Sequence, residues 1–101
     1  MVIPKVIKVG AQRMRVMVQP VVKLDEEICL GVSQICVGRI EIASTFKGED
    51  VPEDSMADTF LHEVIHATNA TYGLDLSETQ VMGLAGGLLQ VIRDNKLDFR
   101  K

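Results

Sequence analysis

The chain has 101 residues, 47% of them hydrophobic and 25% charged, with a formal net charge of −3. That length bounds residues 1–101 to a single domain with a modest core of about two layers. The slightly acidic balance, with no long basic run, argues against a nucleic-acid phosphate backbone as partner.

The start, Met1-Val2-Ile3-Pro4-Lys5, lacks the basic flank and continuous apolar stretch of a signal peptide. Lys5 to Val9 alternates polar and apolar residues, Gly10-Ala11-Gln12 offers a turn, and Arg13 to Val18 resumes the alternation. Residues 3–18 are therefore expected to form a β-hairpin whose Lys5, Lys8, Arg13 and Arg15 line a solvated face. Pro20 should end or displace its second strand, and Asp25-Glu26-Glu27 reads as an exposed connection.

A second hairpin is expected from Leu30–Ile35, a turn at Cys36-Val37-Gly38, and a return over Arg39–Ala43, with Gly31 marking a bulge. Cys29 and Cys36 fit neither a zinc-ribbon nor a thioredoxin spacing, so free, half-buried thiols in a reducing, cytoplasmic setting are expected. With three Phe, one Tyr and no Trp, the core must rest on Val, Ile, Leu and Met. Ser44 to Asp54 is polar and turn-rich, and reads as a loop.

Pro52 and the pair Glu53-Asp54 suit the opening of a helix, where proline is tolerated and acids meet the positive end of the dipole. Met56, Phe60, Leu61, Val64, Ile65 and Thr68 give it an apolar stripe, and the helix should stop between residues 69 and 72, before Gly73. Ser77-Glu78-Thr79-Gln80 is a capping box that starts a second helix. Val81, Leu84, Ala85, Leu88 and Ile92 recur there at helical spacing. Gly83, Gly86 and Gly87 each cost roughly 1 kcal/mol against Ala in a lone helix, which points to close approach of the first helix. The uncharged run Thr79–Ile92 is too short to span a bilayer, and Asp94–Lys101 is a polar tail.

Both histidines of the chain fall in one pentapeptide on the first helix, His62-Glu63-Val64-Ile65-His66. A spacing of four places two imidazoles on one helical face, where they can share a zinc ion. Glu63 would project beside that ion and act as general base toward a metal-activated water, the chemistry of zinc hydrolases with an HExxH pattern. The bland alternative is a surface cluster, or a histidine pair satisfied by core hydrogen bonds.

A hydrolytic zinc site needs three protein ligands and an open position. With no third histidine, a carboxylate must complete it. Glu78 in the first turn of the second helix is the leading candidate, Asp75 in the loop the second, and a site without a third protein ligand the remaining possibility. If the first helix persists to Tyr72, His66 lies about 9 Å before its end, which would bring Met82 rather than Glu78 level with it. Tyr72 is either a hydrogen-bond donor to a developing oxyanion or a ring covering the helix end. Arg39–Ala43 is either an edge that holds an extended peptide or an inner strand.

The segments Thr59–Ala67, Tyr72–Glu78 and Leu84-Ala85-x-Gly87-Leu88 resemble small phage and prophage zincin-like proteins related to the ImmA/IrrE metallopeptidase group. The resemblance covers roughly residues 28 to 95 and is most specific from 59 to 90. It implies a minimal zincin-like α+β fold: a short twisted antiparallel sheet, an HExxH helix, and a second C-terminal helix carrying an acidic ligand. It further implies zinc held by His62, His66 and Glu78, with Glu63 as catalytic base and a cytoplasmic protein or peptide as substrate. A catalytically inert binding or regulatory protein on the same scaffold is the alternative. Where relatives often carry Glu-x-x-Ala-Asn, this chain reads Met82-Gly83-Leu84-Ala85-Gly86.

Overall fold

A computed structural model describes residues 2–98, so Met1 and the last three residues of the expected polar tail lie outside the described residues. The alternating first segment forms β1 (Val6–Val9) and β2 (Gln12–Gln19), antiparallel with Val9 opposite Gln12. Met14 and Val16 point inward, whereas Lys8, Arg13 and Arg15 are exposed on the other face, as the period of two requires; Lys5, also exposed, precedes β1 and does not share that face by alternation. β2 stops at Gln19, before Pro20.

The expected exposed connection at Asp25–Glu27 is a hairpin turn. β3 (Val22–Leu24) and β4 (Glu27–Cys29) pair across Asp25 and Glu26, both with positive φ. Leading into the sheet again are β5 (Gly31–Gln34), a 3₁₀ turn at Ile35–Val37, and β6 (Arg39–Ala43), the expected second hairpin. Ser44–Asp54 is not wholly a loop: β7 (Thr45–Phe46) and β8 (Glu49–Asp50) pair within it.

The main sheet has the order β1-β2-β6-β5. Its centre corrects the expectation of an antiparallel sheet, because β2 and β6 run parallel, from Arg15 opposite Arg39 to Gln19 opposite Ala43. Residues 20–38 supply the crossover that a parallel pair needs. β6 is thus an inner strand, so of the two readings of Arg39–Ala43 the edge strand fails; β1 and β5 hold the edges.

α1 (Glu53–Thr71) lies across the inner face, with Phe60 and Ala67 against Met14, Val16, Ile40 and Ile42. The buried core is mostly Val, Ile and Ala, with Met14, Phe60 and Leu89 one each. α2 (Glu78–Asp94) packs against α1 through Val81, Ala85 and Leu89, capped by reciprocal Ser77–Gln80 hydrogen bonds. Arg93 Nη1 reaches Asp54 Oδ1 at 3.1 Å, tying the end of α2 to the start of α1 as an antiparallel pair demands. Leu84 and Leu88 remain over two-fifths exposed, so the stripe expected through them is displaced by about one position. Gly83 and Gly87 also face open space; Gly86 alone of the three turns toward α1. Among the described residues, no helix is long and apolar enough to cross a membrane.

Gly31 is paired normally with Ile42 rather than bulged. What it provides is room: a Cβ there would lie 2.6 Å from Thr59 Cγ2 and 3.2 Å from Glu63 Cγ. Glycine lets α1 seat on the edge strand at the level of Glu63. Gly31→Ala is expected to cost about 1–3 kcal/mol by overpacking, lowering the thermal midpoint by ~5 °C or more. Adding Thr59→Ser, which removes the clashing methyl, should recover part of that loss in calorimetry; equal midpoints for Gly31→Ala and the parent would refute the tight seat.

Candidate metal centre

His62 and His66 project from one face of α1, their ring centroids 4.8 Å apart and their planes 63° apart. Their Nε2 atoms are separated by 3.1 Å. Glu78 bridges them, with Oε1 2.8 Å from His62 Nε2 and Oε2 3.0 Å from His66 Nε2. One ligand atom from each residue falls within 4.8 Å of the others. Asp75, exposed in the loop, is not part of this group.

The earlier helix-length objection fails for an identifiable reason. α1 does run to Thr71, yet the loop after it does not lead straight on. Gly73 takes a positive φ, and the chain folds back on Asn69, whose backbone carbonyl accepts from Leu74 N (3.0 Å) and whose Oδ1 accepts from Leu76 N (3.2 Å). α2 therefore starts beside the final turns of α1, and its first residue arrives level with the histidines.

The cluster could hold a metal ion. An imidazole Nε2 carries either one proton or one lone pair, so it serves one partner. Here each has two within hydrogen-bond distance, the other ring and a Glu78 oxygen. A cation at the centre would satisfy all of these atoms together. Bonds of ~2.0–2.1 Å to tetrahedral zinc place ligand atoms ~3.3–3.4 Å apart, a few tenths of an ångström wider than this triangle. Two imidazoles and a carboxylate are also a borderline N/O set suited to zinc. Glu78 is 62% exposed, so the cluster opens to solvent on its side.

Glu63, the expected base, is 6% exposed, the one buried charged residue among those described. Ser33 on β5 holds it: the hydroxyl lies 2.7 Å from Glu63 Oε1 and 2.9 Å from the Glu63 carbonyl, both acceptors for one proton. No spacing in the sequence marks Ser33. It is one polar residue in an alternating strand, and only the packing of β5 against α1 brings it here.

Two cavities flank the centre and share Gly31, His62 and Glu63. One, of about 510 Å³, extends past His66 and Glu78 to Asn69 and Leu24. The other, of about 470 Å³, extends toward the N-terminal part of α1, with Ile28, Leu30, Phe46 and Met82 in its walls. Both sizes suit small ligands or side chains. Met82 is a wall residue of this second cavity.

Tyr72 does not join the centre. It is 62% exposed, and a methyl group on Gly10 would sit 3.7 Å from its hydroxyl, so it stands by the β1–β2 turn. Its place is the covering role at the helix end. Both cysteines are free; Cys29 is half-buried, but Cys36 is exposed. Burial, then the charges of Glu63 and Glu41, push the Cys29 thiol up. Compared with family models, curated proteins and solved structures, the chain matches none.

Proposed function

We propose that this chain is a zinc-dependent metallopeptidase of the small phage-type, zincin-like kind related to ImmA/IrrE, acting on a cytoplasmic protein or peptide. The observation that carries this reading is the convergence of His62, His66 and Glu78 beside a buried, hydrogen-bonded Glu63. His62 and His66 would bind through Nε2, and Glu78 through its carboxylate. Zinc held there would supply a Lewis acid that acidifies water and polarises the scissile carbonyl.

Glu63 accepts a proton as the water oxygen bonds to the carbonyl carbon, and returns it to the amine nitrogen as the carbon–nitrogen bond breaks. Ser33 keeps that carboxylate from rotating away. β5, an edge strand of the sheet, offers backbone groups to an extended substrate, one of the two readings weighed for Arg39–Ala43. The flanking cavities receive side chains on either side. Ser33→Ala is expected to lower kcat about tenfold with zinc content unchanged, and Ser33→Thr to restore it; a loss of zinc together with activity would make Ser33 merely structural.

The inert-scaffold reading draws on the same geometry, since Glu78 pairs with both histidines by contacts that need no turnover. The two part on a measurement. Protein purified without chelators should carry about one zinc equivalent, and cleave an unfolded protein in a reaction stopped by chelation and restored by zinc. Zinc near one equivalent with no cleavage favours the scaffold; zinc below ~0.1 equivalent removes the metal site itself.

A further inference from the structure

We propose that the cavity on the Asp58 side of the centre binds a long cationic side chain, lysine or arginine, of the residue next to the cleaved bond. Its use in cleavage rests on the peptidase reading above, whereas its ligand preference does not.

The walls are apolar and unmatched. Ile28 and Leu30, at the end of β4, and Met82, on α2, keep 41%, 42% and 61% of their surface exposed. Gly86 contributes no side chain to the α2 wall, and the cavity, about 470 Å³, has room for an unbranched stem. At the Gly86 side stands one acid. A Cβ on Gly86 would lie 4.0 Å from Asp58 Oδ1, so the carboxylate overhangs the seam between α1 and α2.

Asp58 differs from three paired acids of the fold. Asp54, one turn earlier, pairs with Arg93; Glu78 pairs with the histidines; Glu41 pairs with Arg39. Asp58 has no hydrogen bond or ion pair among the described residues, although it lines the cavity. Lys47, close in sequence to a wall residue, lies over the Phe46 ring instead, its Nζ 5.4 Å from the centroid.

An apolar side chain would fill the walls but strip water from an unpaired carboxylate, and a glutamate would add a like charge. Lysine or arginine meets both demands: the methylenes cover Ile28, Leu30 and Met82, and the head group pairs with Asp58. Asp58 precedes His62 by four residues, one helical turn, so the reach from the centre to the acid is about 6 Å, close to a lysine stem. Among the residues lining the cavity, Asp58 and Glu63 are acidic and none is lysine or arginine, so no side chain of the walls repels a substrate cation.

The test titrates ¹⁵N-labelled full-length protein, with and without zinc, with n-pentylamine, n-pentanol and pentanoate. The amine should shift the Gly31, Asp58 and Gly86 amide signals saturably, with affinity ~5-fold or more above the alcohol, and pentanoate should leave these signals in place in metal-free protein. Asp58→Asn, an exposed substitution that leaves the core intact, should make amine and alcohol equivalent. Alcohol binding as tight as amine in the parent, or an amine preference surviving Asp58→Asn, overturns the proposal. A second arm compares cleavage of peptides that carry lysine, norleucine or glutamate beside the scissile bond. A lysine preference of ~5- to 10-fold in kcat/KM, lost in Asp58→Asn and turned toward glutamate in Asp58→Lys, supports it. Cleavage indifferent to that residue overturns the pocket and spares the peptidase reading. No cleavage, with the amine preference intact, overturns the peptidase reading and spares the pocket.

Discussion

Glu63→Gln is expected to keep about one zinc per chain while hydrolysis falls by ~10²–10⁴-fold, the usual worth of a positioned general base. Glutamine matches glutamate in shape, and its amide oxygen can still accept from Ser33, so the α1–β5 seat should persist. Neither His62 nor His66 relies on Glu63 for position; their nitrogens converge through Glu78. What disappears is the capacity to take a proton. The variant should also unfold no more easily than the parent, because a neutral amide replaces one of the most buried charges in the molecule. Zinc analysis, calorimetry and cleavage of an unfolded protein read out the three parts together. Cleavage unchanged at full zinc content would remove Glu63 from the mechanism.

Local signals are legible in this sequence, and long-range ones are not. Ser77 with Gln80 names the start of α2, and Pro52 with Glu53 and Asp54 the start of α1, because caps are settled by neighbours within one turn. The two histidines needed nothing more than helical spacing to share a face. The parallel pairing of β2 with β6 was invisible because the alternation that reveals a strand says nothing about its direction. The glycines of α2 misled for a related reason. A small residue reports room but not which face has it, and the tight approach instead belongs to Gly31, on the strand side of α1.

Ser33 and Asp58 define the limit most sharply. Each matters through a neighbour distant in sequence or on another element: Glu63 thirty positions away for the serine, Gly86 and the cavity walls for the aspartate. Glu78 was reachable, but its geometry was misjudged from helix rise alone. Counting at 1.5 Å per residue assumes that the chain leaves α1 along its axis. The two hydrogen bonds to Asn69 turn it back, and that return carries the acid to the histidines.

The same return sets up the largest expected change in metal binding. Glu78→Ala should weaken zinc binding by more than ~100-fold, beyond the 10- to 100-fold typical of losing a supporting outer contact. Asp75→Ala should leave it unchanged within about a factor of two. Removal of Glu78 strips both of its contacts at once and leaves two imidazoles, one short of the three protein ligands of a hydrolytic site. Thermal unfolding gives a reading independent of catalysis. A ligand at 100 times its Kd stabilises the folded state by about 2.7 kcal/mol, so zinc should raise the parent midpoint by ~10 °C or more. Glu78→Ala should show almost none of that rise, and Asp75→Ala all of it. The variant should still fold, since the carboxylate is 62% exposed and Val81, Ala85 and Leu89 hold α2 to α1 without it. If zinc stabilises Glu78→Ala as much as the parent, the cation is held elsewhere, and the His62–His66–Glu78 triangle loses its chemical meaning.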